Sequence, residues 1–455
     1  MARSTRVYAG DQLRTVRKTA GLNQAAMAAR LGISVSYLSQ LEGGERPLTP
    51  SVAASLRRHH PALLEAIEGE APARRLSLLA EALADLPPEA PARLAQERPE
   101  IADRIIALHA AARAAEERMQ MVEEALATGA GARMPWEAVR DWFHAAGNYV
   151  DPLDRAAEAL VGDAPLDDAV LAVLLAGHGI TVTTARDEAA PIRQFDRARG
   201  LLTLNAALPP ESRRFQIAHQ VAAIAFADTI AGIAEVAPVG SVEGHTLLRV
   251  GLANYAAGAL TMPYARFRSA ARAVRHDIDR LSRRFGVSFE QACHRLSTLQ
   301  RPGAAGIPFY FCRVDMAGNI TKRHSATRLQ FARFGGACPL WIMHEAVAIP
   351  DRILVQHAET PDGVRYVAMA KGLVKPSGSF ARPSRRYAVA LGCEAVHAAD
   401  FVYADGMDRG VPATPIGIAC RLCPRPDCDQ RAFPPADRAI RVDTDRRAVV
   451  PYQVV

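Results

Sequence analysis

Three cysteines near the end of the chain have the spacing of a metal-binding corner. Cys420, Cys423 and Cys428 form a C-x2-C-x4-C pattern within TPIGIACRLCPRPDCDQRAFPP. Thiolates this close in sequence bind zinc or the iron of an iron–sulfur cluster, usually in a set of four ligands. Pro424 and Pro426 favour a turn between them. The sequence therefore predicts a metal corner that lacks one ligand.

Two further cysteines are candidates for the missing ligand. The chain has seven cysteines, and Cys338 or Cys393 would complete the set if the fold brought either sulfur close. The alternative is a redox-sensitive loop without metal, in which nearby arginines lower the thiol pKa values. Both interpretations place reduced thiols in a reducing compartment.

A second candidate site lies in the middle of the chain, on RRFQIAHQVAAIAFAD at 213–228. This segment resembles the helix of the ImmA/IrrE metallopeptidase domain, which carries an HExxH zinc motif. A zinc peptidase needs two histidines four residues apart and a glutamate base between them. Here His219 is present, but Gln220 cannot accept a proton and Ala223 cannot bind metal.

The later part of the same domain also lacks the glutamate that would be the third zinc ligand. LANYAAGALTMP at 252–263 resembles a later helix of that family, and Val250 and Gly251 stand where a glutamate ligand is expected. The resemblance implies the fold of this domain, and the missing ligands and base argue against peptidase activity. We expect His219 to be a packed or hydrogen-bonded core histidine.

Residues 12–49 of the chain have the pattern of two short helices joined by a tight turn. Asn23 is placed to cap a helix with Met27 and Ala28 inward, and Gly32 permits the turn. Ser34 caps the next helix, from about Val35 to Glu42, with Leu38 and Leu41 inward.

The outward positions of this helix pair are suited to double-stranded DNA. Ser36, Ser39 and Gln40 are the predicted base contacts, and Val35 is placed for a thymine methyl group. Gln24 and Arg46 are the predicted phosphate contacts. The complete predicted DNA-binding set is Gln24, Ser34, Val35, Ser36, Tyr37, Ser39, Gln40 and Arg46.

This stretch resembles the XRE/Cro/C1 repressor family over about the first sixty residues, including the LEGG that closes the second helix. Members pair an arginine of the first helix with a glutamate after the recognition helix. Arg17 and Glu42 occupy those positions, and we assign the pair to structure.

The charge of the chain is concentrated in this head. Residues 1–60 contain nine arginines and lysines against three acids, so they carry +6 of the whole-chain +7. A basic head on a nearly neutral body is typical of a phosphate-binding surface. The alternative is a small helical bundle that binds another protein.

The whole chain has the composition of a globular protein with about three domains. It has 455 residues, of which 49% are hydrophobic and 6% aromatic. MARSTRVYAG has no apolar core for a signal peptide, and the apolar runs elsewhere are short. We expect a cytoplasmic protein that does not bind a membrane.

A helical connector follows the head. Apolar and small residues recur in steps of three and four from Ile105 to Leu126, following Ile101, before Gly129 and Gly131. This pattern predicts a helix over 100–128 that forms a homodimer and spaces two heads for a two-fold operator. The alternative is a helix packed on its own chain.

The fold class predicted is mainly α in the N-terminal and central regions, followed by an α+β C-terminal domain. Beyond Pro302, IPFYFCRVD pairs with NITKR and DRILVQHAE with RYVAMAK as hairpins, while EAVHAADFVYADG at 394–406 is expected to be helical. The predicted boundaries are 8–66 for the helix-turn-helix, 67–132 for the connector, 135–301 for the ImmA/IrrE-like domain and 302–455 for a sensor domain.

In order, the head, the degenerate peptidase-like helix, NYVDPLDRAAE at 148–158 and the cysteine tail resemble the short-chain fatty acyl transcriptional regulators, the ScfR group. The resemblance covers nearly the whole chain. It implies an effector that is a short-chain acyl-coenzyme A, and regulation of acetate, propionate or glyoxylate-type metabolism. Two basic runs were considered for its phosphates: Lys322, Arg323, Arg328 and Arg333, then Lys371, Lys375, Arg382, Arg385 and Arg386.

The resulting interpretation is a homodimeric, sequence-specific transcriptional regulator without enzyme activity. One alternative is a redox or iron–sulfur sensing regulator that uses the cysteine tail. Another is a repressor coupled to an ImmA/IrrE-type protease, which the lost HExxH motif argues against.

Overall fold

The computed structural model divides the chain into two compact units, Met1–Glu123 with Pro302–Ala304 and Glu124–Arg301 with Ala305–Val455. The second unit contains both the predicted peptidase-like region and the predicted sensor domain. The structure describes residues 10–19, 22–43, 46, 49, 51–52, 55–56, 70–83, 86–87, 89–128, 134–162, 166–187, 190–329, 331, 337–377, 380–407, 411–436 and 438–455.

The head of the first unit is a bundle around helices α1 (Gly10–Thr19), α2 (Gln24–Leu31) and α3 (Val35–Glu42). Asn23 Oδ1 accepts a hydrogen bond from Ala26 N at 2.8 Å, and Ser34 Oγ accepts one from Tyr37 N at 3.1 Å. Gly32 ends α2 with φ of 70°, a conformation that favours glycine. The buried core of the head consists of Leu13, Met27, Ala28, Leu31, Leu38, Leu41, Val52 and Leu56. The four inward positions predicted from the sequence are all buried.

The connector is helical, as predicted. It comprises α4 (Glu70–Ala82), α5 (Glu89–Glu97) and α6 (Pro99–Thr128). Arg75 Nε lies 2.6 Å from Asp103 Oδ1 and ties α4 to α6. On α6, Ile101 and Leu108 are 47% and 52% exposed. Two residues of the predicted apolar stripe are therefore exposed, whereas Ile105 between them is half-buried. The side chains of the stripe from residue 114 onward lie outside the described residues.

The peptidase-like part of the second unit packs helices against a small mixed sheet. Strand β3 (Leu201–Asn205) lies between β1 (Thr181–Ala185), which is parallel to it, and β2 (Arg193–Asp196), which is antiparallel. The helices before the sheet are α7 (Pro135–Ala145), α8 (Asp151–Val161) and α9 (Asp168–Ala176). Those after it are α10 (Pro210–Ala225), α11 (Ala227–Glu235), α12 (Val242–Thr261), α13 (Tyr264–Ala273), α14 (Ile278–Phe285) and α15 (Phe289–Leu296).

Helices α10 and α11 follow each other across a sharp bend. Within the described part of the chain, no single helix is long and apolar enough to cross a bilayer, and this pair passes only when its members are joined across a bend of 75°. Ile217, Ala218 and Val221 of α10 are buried in the domain core.

The C-terminal part is an α+β module, as predicted. Its six-stranded sheet has the order β5-β4-β8-β7-β6-β9. The strands are β4 (Tyr310–Asp315), β5 (Ile320–Ser325), β6 (Ile353–Glu359), β7 (Arg365–Lys375), β8 (Arg385–Glu394) and β9 (Thr414–Pro415), and α16 (Ile342–Ala348) packs against them. Both predicted hairpins are present.

Strand β9 covers the end of β6 at the edge of this sheet. Thr414 pairs with Ala358 and Pro415 with Glu359, in parallel. The Arg425 guanidinium also donates to the Glu359 carbonyl at 2.8 Å. The cysteine tail is thereby attached to the sheet.

The structure corrects the prediction of one helix over residues 394–406. The segment forms two short 3-10 helices, Ala395–Asp400 and Val402–Gly406. The Arg275 guanidinium and the His276 imidazole engage the Ala399 and Asp400 carbonyls at 3.0 and 2.8 Å. Those carbonyls are therefore drawn to side chains of the peptidase-like part instead of a continuing α-helical ladder.

The motif at 148–158 joins the two parts of the second unit. Asn148, buried and left-handed with φ of 54°, donates from Nδ2 to the Ser325 carbonyl of β5 at 2.9 Å. Asp154 of α8 accepts hydrogen bonds from Arg295 and from the Tyr255 hydroxyl. The motif is a structural junction.

Candidate nucleic-acid interface and metal centre

Helix α3 presents a small, mainly polar surface on a rigid base. Val35 is 44% exposed, and Ser36 and Ser39 are exposed as well, whereas Leu38 and Leu41 are buried. Gln40 is half-buried beside them. Short side chains allow a helix to approach base edges in the major groove closely.

The remaining predicted contacts lie around this helix. Ser34 uses its hydroxyl to cap α3, and Tyr37 packs its half-buried ring against the core of the head. The exposed Arg46 places its guanidinium carbon 5.8 Å from the centre of the Tyr37 ring. Arg46 is therefore held next to α3, where a phosphate contact is sterically open. The contact roles of these residues stay predictions.

Arg17 and Glu42 form the predicted pair. Arg17 Nε lies 2.6 Å from Glu42 Oε1, and Nη2 lies 2.9 Å from Oε2. Gln24 Nε2 also donates to Glu42 Oε2 at 3.0 Å, a contact the sequence did not predict. The Gln24 side chain thus holds α2 to the end of α3, and its predicted phosphate contact remains untested.

Electrostatics favour the ionised form of Glu42. Burial raises the pKa of this carboxyl, but the hydrogen bonds from Arg17 and Gln24 and the charges of Arg17 and Arg14 outweigh burial. The pKa of Glu42 therefore lies below its ordinary value. The anchor beneath α3 stays charged at neutral pH.

At the position of the lost metallopeptidase site, the side chains of His219 and Gln220 form hydrogen bonds with neighbouring protein side chains. His219 Nδ1 lies 3.0 Å from Asn254 Oδ1, and Gln220 Oε1 accepts a bond from the Arg193 guanidinium at 2.7 Å. Burial, reinforced by the charge of Arg193, lowers the pKa of His219 to about 4. His219 is a neutral, hydrogen-bonded core histidine, as expected.

The positions where the third zinc ligand is expected, Val250 and Gly251, do not offer a replacement ligand either. A Cβ atom at Gly251 would lie 2.9 Å from Cε2 of Phe143, so a side chain at this position would require the ring to shift. Val250 is 46% exposed and points out of the core. No hydrolytic water could be activated by this set of side chains.

Four cysteines line one recess in the C-terminal part. This cysteine recess contains Cys338, which precedes α16, together with Cys420, Cys423 and Cys428 of the tail. The pKa of Cys338 is raised by burial and also by the neighbouring Cys420 and Cys423. The fourth candidate ligand is therefore Cys338, whereas Cys393 is buried in β8 and does not line the recess.

Backbone and arginine contacts surround the cysteine recess closely. Ala432 N approaches Cys420 Sγ at 3.4 Å, and a Cβ at Gly417 would lie 2.8 Å from Cys423 Sγ. The buried Arg431 guanidinium donates to the carbonyls of Cys420 and Cys423, which fixes the turn. Among the residues that the structure describes, no group of three or more His, Cys, Asp or Glu side chains already has the arrangement of a metal-ion site.

Two members of the basic runs considered for effector phosphates, Lys322 and Lys375, pair with Glu290, and Arg313 joins them. Arg313 Nη1, Lys322 Nζ and Lys375 Nζ approach its carboxylate at 2.7, 3.2 and 2.6 Å. Burial raises the pKa of Glu290, and these three cations more than reverse that effect. Lys371 lies 3.7 Å from Asp279, and Arg323 donates to the Phe331 carbonyl. Arg333 lies outside the described residues.

Arg193 and Glu290 are the functional-region residues that sequence reasoning missed. Each meets its partners only after distant strands and helices assemble. Gln220 gave no specific signal for Arg193, because an amide oxygen accepts from any N–H or O–H donor.

Three family descriptions match successive parts of the chain. Residues 9–64 match a helix-turn-helix domain, residues 176–297 an IrrE N-terminal-like domain, and residues 298–452 the C-terminal region of the short-chain fatty acyl coenzyme A regulators.

Characterised relatives match over the full length. A propionyl-CoA carboxylase regulator of Cereibacter sphaeroides is 45% identical over 99% of both chains. The HTH-type transcriptional regulator PrpR of Mycobacterium tuberculosis is 38% identical over 98% of this chain and 96% of its own. RamB of the same species is 37% identical over 99% of both chains.

A solved structure has the same fold. A Mycobacterium tuberculosis transcriptional regulator superimposes with a TM-score of 0.66 at 43% identity, over 70% of this chain and 99% of its own. These relatives are regulators and not peptidases, in agreement with the filled centre at His219. The chain therefore belongs to the short-chain fatty acyl coenzyme A regulators, and it is a DNA-binding transcriptional regulator of the helix-turn-helix class.

Proposed function

We propose that this regulator binds operator DNA as a cytoplasmic homodimer and changes its DNA affinity when a short-chain acyl-coenzyme A binds. The observation that carries the DNA-binding part is the exposed serine-rich face of α3, held on Leu38, Leu41 and the Arg17 and Glu42 pair. The effector is proposed from the relatives, one of which is named for propionyl-CoA carboxylase regulation.

Helix α6 is the proposed dimerisation element. Ile101 and Leu108 expose about half of their surface on this helix, which is costly in water unless a second copy covers them. A two-fold dimer would place two α3 helices one turn of DNA apart, as a palindromic operator requires.

The cysteine recess is the proposed site of zinc or an iron–sulfur cluster, with Cys338, Cys420, Cys423 and Cys428 as ligands. Bound there, either group would crosslink the tail to the loop before α16. A redox or iron-sensing role of the same recess is the second candidate. It is favoured by the two half-buried thiols, Cys420 and Cys428.

Operator binding with and without effector tests the main proposal. The regulator would be titrated against genomic fragments and against random duplex, at a fixed salt concentration, with acetyl-, propionyl- and butyryl-coenzyme A. We expect a preference for one fragment that changes about 5- to 150-fold with one of the thioesters. Fragment binding that none of the thioesters alters would remove the effector, and equal binding to random duplex would remove the operator.

Anaerobic purification tests the metal. Elemental analysis and the visible spectrum separate zinc from an iron–sulfur cluster. Colourless protein that contains neither element would end the proposal, and operator release by oxidant would favour the redox role.

A further inference from the structure

The peptidase-like part contains an open cleft that the degenerate centre does not use. It lies between the start of α13, the end of α14 and the start of α10, with a volume of about 620 Å³. Four arginines line it, Arg214, Arg266, Arg283 and Arg284, and we call it the arginine cleft. Its size is that of sites for nucleotide-sized ligands.

The arginine cleft is strongly cationic. Arg283 and Arg284 are exposed in the last turn of α14, and Arg266 is half-buried in the first turn of α13. In the part of the chain that the structure describes, no ion pair involves Arg283 or Arg284. The acid in the wall is Asp167, whose carboxylate already caps α9 through Val170 N at 2.8 Å.

The fourth arginine fixes the wall that carries the exposed pair. Arg214 Nε donates to Asp168 Oδ1 at 2.6 Å, and Nη1 donates to the Gly286 carbonyl at 3.2 Å. Gly286 has φ of 61°, and a Cβ there would lie 2.1 Å from the Arg214 guanidinium. The end of α14 is therefore locked in place before any ligand arrives, which reduces the entropy lost on binding.

Part of the lining is apolar. Leu166, Pro263 and Phe285 contribute to it, and Phe285 is held edge-on against the buried Phe267 at 5.0 Å between ring centres. A cleft with phosphate-binding arginines beside an apolar wall suits a ligand that combines phosphates with a flat or apolar group.

Three basic residues of the C-terminal sheet are poorer candidates for the same ligand. Lys322, Lys375 and Arg313 surround the buried Glu290, so a phosphate there would have to compete with that carboxylate. No such acid neutralises Arg283 and Arg284.

We infer that the arginine cleft binds the phosphate groups of the acyl-coenzyme A effector, with Arg283 and Arg284 as the principal contacts and Arg266 alongside. The inference rests on the proposed function, since it assigns the effector a place. It puts phosphate recognition in the peptidase-like part, outside the region 298–452 that matches the regulator family's C-terminal description.

A matched set of full-length variants tests the inference by calorimetric titration. The test variant is Arg283→Ala/Arg284→Ala. The control is Arg280→Ala, which removes one positive charge from an exposed position of α14 that does not line the cleft. We expect the test variant to lose about 10- to 100-fold in affinity for propionyl-coenzyme A, since hydrogen bonds to charged groups contribute that much, and the control to keep its affinity. Equal melting temperatures of the two variants would exclude misfolding.

A second ligand separates phosphate binding from a general loss of the site. S-propionyl-pantetheine keeps the thioester but lacks the phosphates. The unchanged protein should bind it more weakly than propionyl-coenzyme A, whereas the test variant should bind the two ligands with similar affinity. A test variant that retains full preference for propionyl-coenzyme A would overturn the inference.

Two other outcomes are distinguishable. If the unchanged protein binds none of the thioesters, the proposed effector fails, and this inference fails with it. If the test variant keeps its affinity for propionyl-coenzyme A but loses affinity for duplex DNA, the arginines contact DNA phosphates and the inference is wrong.

Discussion

Arg295 and Asp154 form a doubly hydrogen-bonded ion pair in the core of the second unit, where their side chains are 3% and 0% exposed. The Tyr255 hydroxyl donates to the same carboxylate and accepts from Val150 N at 3.0 Å. Arg295 Nε also donates to the Met262 carbonyl at 3.0 Å. One charge pair therefore connects α8, α12 and α15.

Removing one member of this pair should strand the other charge. We expect Asp154→Ala to lower the free energy of unfolding by about 3–5 kcal/mol, the usual cost of breaking a buried pair. Arg155→Ala is the control, because Arg155 pairs with Asp151 at an exposed position and should cost no more than about 1 kcal/mol. Urea unfolding measures both, and similar losses in the two variants would contradict the prediction.

Stability should fall in mild acid because of buried neutral histidines. His324 Nε2 lies 3.0 Å from His294 Nε2, and burial, with the charges of Lys322, His144 and Arg140, lowers the pKa of His324 to about 3. The unfolded chain protonates this residue near its ordinary pKa of about 6.5. The contribution of neutral His324 to the free energy of unfolding is thus complete above a pH of about 6.5. It is lost as the pH falls toward 3, by about 1.4 kcal/mol per pH unit.

A pair of variants measures that contribution. His324→Gln should flatten the dependence of unfolding free energy on pH between these limits, whatever its effect on stability at pH 7. His178→Gln, at an exposed histidine, should leave the slope unchanged. An unchanged slope in His324→Gln would show that other groups cause the acid sensitivity.

Gln40 is predicted to read a base. Gln40→Ala should cost about 1–3 kcal/mol of operator affinity at one base position and relax specificity there. Arg46→Ala, predicted to remove a phosphate contact, should weaken binding to all sequences alike and lower the salt dependence. Binding of each variant to a library of single-base operator changes distinguishes the two, and a uniform loss in Gln40→Ala would make Gln40 a phosphate contact.

The cysteine recess predicts which thiol completes the metal site. Cys338→Ser should reduce the bound zinc or iron, because Cys338 lines the recess with the three tail cysteines. Cys393→Ser should retain the metal, since Cys393 lies in β8. The measurement is the metal content per chain of each variant. Loss of metal in both variants, or in neither, would contradict the assignment of Cys338 as the fourth ligand.

Local patterns in the sequence predicted the head well because its helices are determined by near neighbours. Asn23, Gly32 and Ser34 act within three residues of themselves, and the Leu38 and Leu41 spacing sets the buried face of α3. The hairpins beside β4 and β6 were predictable for the same reason.

Contacts between distant segments were not predictable in this way. Sequence spacing left Cys338 and Cys393 equivalent, and only the folded chain separates them, because Cys338 N donates to the Ile418 carbonyl at 3.2 Å and Cys338 lines the recess. Arg193 reaches Gln220 because β2 lies beside α10, which the motif alone does not reveal. The 3-10 turns after β8 depend on Arg275 and His276, more than a hundred residues earlier in the chain.

The short pairing of Thr414 and Pro415 with the end of β6 has a consequence for protein handling. A proteolytic nick ahead of Thr414 would release the tail and leave the Ala358 and Glu359 backbone groups without their neighbours. An uncovered strand edge is a template for pairing with another chain. Truncated preparations should therefore aggregate as well as lose the three tail cysteines.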